Sequence, residues 1–138
     1  MKITNLTSET LILNDLGKEI KGVSPIDRVN RLSSAQSIYL LDTSEVLLSA
    51  QTGDIRRFVA AGKMSVNDRA LAVANAGTVV MTHHFKIVPN VTVILDPTGS
   101  PIQAIVGTDI TIEHDTDYNT TTITNISGGA LDMDIRIG

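Results

Sequence analysis

The strongest pattern in this sequence is an alternation of apolar and polar residues close to its carboxyl end. The apolar positions there are Leu131, Met133, Ile135 and Ile137, and the charged positions between them are Asp132, Asp134 and Arg136. Successive side chains of a β-strand point to opposite faces of the sheet. The alternation therefore predicts a strand with an apolar inner face and a charged face that points outward to solvent.

The same period of two residues appears in three earlier stretches. Their inward positions are Val79, Met81, His83 and Phe85, then Val91, Val93 and Leu95, then Ile110 and Ile112. The segments between the stretches are short and rich in turn-forming residues, which leaves no room for a crossover helix and favours antiparallel neighbours. Residues 78–138 are therefore predicted to form an antiparallel β-sandwich.

The beginning of the chain predicts several short strands. Residues 2–6 and 10–14 are rich in apolar and β-branched residues and are separated by turn formers, so a hairpin is the simplest interpretation. Residues 23–26 include a proline and favour an extended segment. Residues 37–41 predict a further strand.

Two short helices are predicted after these strands. Thr43 or Ser44 is suited to cap a helix over residues 45–50. A second helix is predicted over residues 55–61, where the apolar residues share one face, and Gly62 is placed to end it. These are the clearest helix signals in the chain.

The predicted fold class is mainly β with a few short helices. A small N-terminal α+β domain is expected over residues 1–66, and the antiparallel β-sandwich is expected over residues 78–138. The intervening residues 67–77 are rich in alanine and are predicted to form either a helix or a linker. The boundary is placed there because the two-residue period begins directly after Gly77.

Composition narrows the class of protein. Hydrophobic residues make up 42% of the chain and charged residues 19%, which is typical of a folded soluble protein. Aromatic residues make up only 3% and the net charge is −4, so nucleic acid is not an expected partner. No apolar run approaches the roughly 20 residues that cross a bilayer, so neither a membrane role nor a secretion signal is predicted.

Candidate metal ligands are few, because the chain has no cysteine and three histidines. His83 and His84 are adjacent in a predicted strand and therefore point to opposite faces, which argues against a shared ion. His83 together with His114 is left as a weak metal candidate, and ordinary strand positions are preferred. We expect no metal and no cofactor.

An acidic cluster lies near the third histidine. Glu113, Asp115 and Asp117, with Asp109 nearby, carry oxygen ligands of the kind that calcium takes. The cluster lacks the glycine and the final glutamate of an EF-hand loop. A solvated turn is therefore the preferred interpretation.

No catalytic motif accompanies these residues. The sequence contains no nucleophile elbow, zinc-protease motif, phosphate-binding loop or dinucleotide-binding fingerprint, and we do not expect an enzyme. The charged residues instead suggest candidate contacts with other subunits. These interface candidates are Arg56, Arg57, Asp132, Asp134 and Arg136. For the two arginines, a solvated helix face is the alternative and is favoured.

Several segments resemble a known class of protein. Residues 78–138 resemble the small β domains of tailed-bacteriophage tail fibres and other virion appendages. The resemblance lies in Thr-Val-Val-Met-Thr-His-His at 78–84, Val-Pro-Asn-Val-Thr-Val at 88–93, Asp-Pro-Thr-Gly at 96–99 and the alternating strand that ends at Ile137. The opening residues and the stretch Asp-Ile-Arg-Arg-Phe-Val-Ala-Ala-Gly-Lys-Met at 54–64 resemble small phage structural proteins. The resemblance covers about residues 78–138, and the N-terminal half more weakly.

This resemblance implies a bacteriophage virion structural protein, assembled in the host cytoplasm and bound to other virion proteins. The N-terminal domain would be the attachment region, and the neck, collar or tail-fibre apparatus is the expected position, with capsid decoration next. A homo-oligomer is expected independently, because two domains of this size bury little surface alone. A carbohydrate-binding module that recognises a host glycan through Tyr39 and Tyr118 is the alternative.

Overall fold

The structure is a computed structural model that describes residues 1–22 and 36–138. The chain forms two compact units, the first comprising Met1–Asn67 with Gly138 and the second comprising Asp68–Ile137. The extended segment predicted at 23–26 lies outside the described residues.

Strands dominate both units. In the described ranges they are β1 (Lys2–Asn5), β2 (Leu11–Leu13), β3 (Lys18–Ile20), β4 (Ser37–Tyr39), β5 (Met64–Val73), β6 (Thr78–Thr82), β7 (Val91–Leu95), β8 (Ile102–Gln103), β9 (Ile110–His114), β10 (Thr120–Asn125) and β11 (Leu131–Ile137). The helices described are α1 (Ser44–Thr52) and α2 (Asp54–Ala60). The predicted fold class, mainly β with antiparallel sheets and short helices, is confirmed.

The first unit is organised around β1. This strand lies between β4 and the first part of β5, and both pairings are antiparallel, with Ile3 opposite Ile38 on one side and Val66 on the other. The predicted hairpin of residues 2–6 with 10–14 is wrong, because β2 pairs with β3 instead. Local turn signals identified the strands, and long-range pairing decided their partners.

The two helices follow the predicted capping signals. The Thr43 hydroxyl accepts a hydrogen bond of 3.3 Å from the backbone N–H of Val46, which selects Thr43 over Ser44 as the cap of α1. Helix α2 ends at Ala60, and Gly62 follows with φ of +70°, a conformation that favours glycine. Both helix predictions are confirmed.

The second unit contains two groups of strands. The later part of β5 is followed across its sheet by β11, β7 and β8, and a separate sheet has the order β6, β10, β9. Strand β7 is antiparallel to β11 and β8, and β10 is antiparallel to β6 and β9. These two sheets give the second unit a sandwich-like arrangement.

The segment predicted as helix or linker at 67–77 is corrected by the structure. Residues 67–73 belong to β5, which runs from one unit into the other. Alanine has the highest helix propensity, but such propensities contribute little free energy per residue, and pairing with β11 overrides them. The division between the units accordingly falls after Asn67, earlier than the boundary expected near Gly77.

The inner face of β11 is as predicted, but its outer face is not. Met133, Ile135 and Ile137 are fully buried. Asp134 was expected to point to solvent, and that prediction is wrong, since it is 2% exposed. Its carboxylate oxygens lie 3.8 Å from Nε of Arg69 and 3.5 Å from Nε of Arg136, so nearby guanidinium groups compensate its buried charge.

Candidate functional site

Two histidines in the second unit lie on either side of one threonine hydroxyl. Oγ1 of Thr121, on β10, is 3.1 Å from Nε2 of His83 and 2.9 Å from Nδ1 of His114. His83 follows β6, and His114 ends β9 directly opposite Thr121. The sheet order β6, β10, β9 therefore brings together the two histidines that sequence analysis named as a weak metal candidate.

A backbone amide sets the direction of this hydrogen-bond chain. The N–H of Phe85 donates to Nδ1 of His83 over 3.2 Å, so the neutral ring carries its proton on Nε2. Nε2 then donates to the Thr121 hydroxyl, which in turn donates to Nδ1 of His114. The chain satisfies the polar atoms of His83 and Thr121, both of which are fully buried.

The electrostatic surroundings keep His83 neutral. Burial, followed by the proximity of His114, lowers the pKa of His83 from 6.5 to about 4. Asp115 acts in the opposite direction and His84 in the same direction as His114, and both effects are smaller. A neutral imidazole at neutral pH is consistent with the hydrogen-bond chain.

The histidine pair is not arranged as a metal site. Both ring nitrogens of His83 already have hydrogen-bond partners, as does Nδ1 of His114. In residues 1–22 and 36–138, no group of three or more His, Cys, Asp or Glu side chains is placed to hold a metal ion. The hydrogen bonds from His83 to Thr121 and from Thr121 to His114 instead hold β6, β10 and β9 in position.

The acidic turn after β9 is closed by one carboxylate. Oδ1 of Asp115 accepts from the backbone N–H groups of Asn119 at 2.7 Å and Thr120 at 2.9 Å. These bonds, that of Thr120 above all, lower the pKa of Asp115. Glu113 and Asp117 are exposed. The residues thus form a hydrogen-bonded turn with solvated acidic side chains.

The interface candidates are divided between the two units. Arg57 is largely exposed on α2, where Nη2 lies 2.7 Å from Oδ1 of Asp54, and Arg56 is half-buried on the same helix. Asp132, Asp134 and Arg136 are on β11 in the second unit, where Oδ1 of Asp132 accepts from the N–H of Ala72 over 2.7 Å. Hydrogen bonds and ion pairs within the chain therefore already involve several of these charges.

The aromatic residues of the glycan alternative are also in different units. Tyr39 is exposed on β4, with Nζ of Lys2 at 5.8 Å from its ring centroid. Tyr118 lies in the turn between β9 and β10, with its ring 6.3 Å from that of His114. Each tyrosine has its own local contact.

A cluster of exposed apolar side chains was missed by sequence analysis. Ile102, Ile105 and Val106 are 63%, 60% and 61% exposed. They occupy β8 and the turn that follows it. The available signal was a mainly apolar run at 102–106 that lacks a regular alternation and lies between a turn rich in proline and glycine at 96–101 and Gly107. We call these three residues the apolar turn.

Comparison with known proteins gave no family. No family model matches the chain, and no curated protein or solved structure matches it. The helices of the described ranges are all too short or too polar to cross a membrane.

Proposed function

We propose that this chain is a non-enzymatic structural protein of a tailed-bacteriophage virion and acts by binding neighbouring subunits during particle assembly. The observation that carries the proposal is the apolar turn, with three side chains that are each more than half exposed within five residues. Apolar side chains clustered at a surface mark contacts with other proteins. Burying them in an assembly removes them from water, which stabilises the assembled state.

The virion setting rests on the resemblance of residues 78–138 to tail-fibre and appendage domains. The predominance of antiparallel strands and the sandwich-like second unit agree with that class of protein. The neck, collar or tail-fibre apparatus is the position that we favour, and capsid decoration is the next. Partners of this protein are then other virion proteins and further copies of the chain.

Mass spectrometry of purified particles tests this proposal. Infected cells are lysed, particles are banded on a density gradient, and the particles and the soluble lysate are analysed separately. The proposal predicts peptides of this chain in the particle fraction. Peptides that occur in the soluble lysate and are absent from the particles contradict it.

A further inference from the structure

Residues 83–90 connect β6 to β7 and thereby join the two sheets of the second unit, without taking part in either sheet. Two residues of this segment, His84 and Lys86, have φ of +59° and +61°, in the left-handed region that residues with a Cβ rarely adopt. Connecting segments with such backbone strain and few ladder hydrogen bonds open more readily than the strands beside them. Local opening is therefore expected at this segment before the sheets separate.

Three backbone hydrogen bonds hold the segment against the turn between β9 and β10. The N–H groups of His83 and His84 both donate to the Asn119 carbonyl, over 2.8 and 3.0 Å. The N–H of Lys86 donates to the Tyr118 carbonyl over 3.0 Å. Because the three acceptor sites belong to two adjacent residues, these bonds are lost together when the segment moves away from the turn.

Phe85 is the buried anchor of the segment. It is 1% exposed, whereas Ile87 and Val88, which follow it, are 42% and 59% exposed. Its ring centroid lies 4.9 Å from that of His83, and its backbone N–H donates to Nδ1 of the same imidazole over 3.2 Å. Nδ1 accepts this bond only while it carries no proton. The position of Phe85 therefore depends on the protonation state of His83.

The groups around His83 place this dependence in mild acid. Burial, followed by the proximity of His114, holds the pKa of His83 at about 4, and His84 acts in the same direction. Asp115, which follows β9, favours the proton but has a smaller effect than His114. Strand β10 presents the uncharged Thr121. The closed segment thus resists the proton, and an opened segment, in which the histidine has its ordinary pKa of 6.5, takes it up.

We propose that residues 83–88 form an acid-sensitive latch, which opens when Nδ1 of His83 takes up a proton while the strands of both sheets stay paired. The new N–H of the imidazole faces the N–H of Phe85, so two donors oppose each other and their hydrogen bond is lost. Opening brings the Phe85 ring into water beside Ile87 and Val88. In mild acid the segment therefore presents an apolar aromatic side chain that is covered at neutral pH. The latch does not depend on the virion assignment.

Hydrogen exchange of the wild-type protein, resolved by NMR, tests the latch at pH 7.5 and pH 5 in low concentrations of urea. After correction for intrinsic exchange rates, the opening equilibrium at the Phe85 and Lys86 amides is expected to rise about 25-fold from pH 7.5 to pH 5. It should exceed that of the Ile135 amide in β11 and be insensitive to urea, since local opening exposes little surface. Equal opening at both pH values, or the same urea dependence at Phe85 and Ile135, overturns the proposal.

Two glutamine variants separate His83 from its neighbour. The glutamine side-chain oxygen can accept from the Phe85 N–H at any pH, so His83→Gln is expected to open equally at pH 7.5 and pH 5. His84→Gln is the matched control and should keep the pH response of the wild type. A response that survives in His83→Gln, or that is lost in His84→Gln alone, contradicts the latch. The wild-type measurement decides the proposal even where His83→Gln does not fold.

Discussion

Asn5 and Asn125 make the same set of side-chain hydrogen bonds at the ends of β1 and β10. In each case Oδ1 accepts from the backbone N–H and the hydroxyl of the residue two positions later, which is Thr7 or Ser127. Each Nδ2 group donates to two backbone carbonyls. These carbonyls belong to Glu9 and Ile20 for Asn5, at 2.7 and 2.9 Å, and to Gly129 and Val73 for Asn125, at 2.7 and 2.8 Å.

A short sequence pattern accompanies this shared turn. Residues 3–7 read Ile-Thr-Asn-Leu-Thr, and residues 123–127 read Ile-Thr-Asn-Ile-Ser. Both asparagines are fully buried. Each unit thus uses the same device, in which a buried amide satisfies the backbone groups of a turn that leaves a sheet.

Replacing either asparagine by alanine is predicted to destabilise the chain strongly. Asn125→Ala removes a fully buried side chain and its four hydrogen bonds to Val73, Ser127 and Gly129, so we expect the free energy of unfolding to fall by about 3 kcal/mol. Urea denaturation measures this change. Asn90→Ala is the control, since Asn90 is also followed two positions later by a hydroxyl residue, Thr92, but is exposed. Equal stability of the two variants would contradict the role given to the buried amide.

Stability is predicted to fall in mild acid because of His83. Its pKa is about 4 in the folded chain against a usual 6.5, so below pH 6.5 the unfolded chain gains a proton that the folded chain does not take up. The free energy of unfolding therefore decreases as pH falls from about 6.5 towards 4, by about 2 kcal/mol at pH 5. Urea denaturation at pH 7.5 and at pH 5 measures the loss.

Histidine variants identify the group responsible. His83→Gln is expected to flatten the dependence between these two pH values, because the titrating ring is gone. His84→Gln is the neighbouring control and should keep it. Asp115 has a lowered pKa, so its stabilising contribution is lost at lower pH than this window. An unchanged pH dependence in His83→Gln would refute the assignment.

The buried carboxylate of Asp134 is predicted to stabilise the folded chain by pairing with Arg69 and Arg136. Asp134→Asn removes the carboxylate that lies near Arg69 and Arg136 while keeping its size. Because Asp134 is buried, we expect a loss of about 3 kcal/mol in the free energy of unfolding. Thermal and urea unfolding measure it, with exposed Asp117→Asn as the control. A variant of normal stability and altered assembly would instead support the surface role first expected for Asp134.

The cap of α1 supplies a local test. Thr43→Ala removes the hydroxyl that accepts from Val46, and a loss of about 1 kcal/mol is expected. Ser44→Ala removes the neighbouring hydroxyl, which donates to the exposed Glu45 carboxylate over 3.4 Å, and should cost less than half as much. Chemical denaturation of the two variants compares them directly. The reverse order would show that Ser44 caps the helix.

Local signals in the sequence predicted much of the fold. The Thr43 cap of α1, the end of α2 before Gly62 and the inward face of β11 were predicted correctly, because they depend on neighbouring residues and on a simple period. The partners of β1 were not, because β1 pairs with residues more than thirty positions away, on β4 and β5. Long-range pairing leaves no periodic signal in a single sequence.

The candidate site was predicted less completely for the same reason. His83 and His114 were named, but the threonine between them was not, since Thr121 is one of several threonines in β10 and its register decides its role. Asp134 was expected to be exposed to solvent, because the alternation in β11 shows which face of the strand a residue lies on and does not show whether that face is buried. The turn at 96–99 was recognised in the sequence, and the exposed apolar run that follows it was not.

We propose that this chain is a component of a phage particle. The number of copies of the chain in each particle tests this proposal most directly. Quantitative mass spectrometry of gradient-purified particles measures this chain relative to the major capsid protein, before and after a high-salt wash. The account predicts a constant ratio through repeated purification. A ratio that falls towards zero with each step, while the soluble lysate retains the protein, would contradict it.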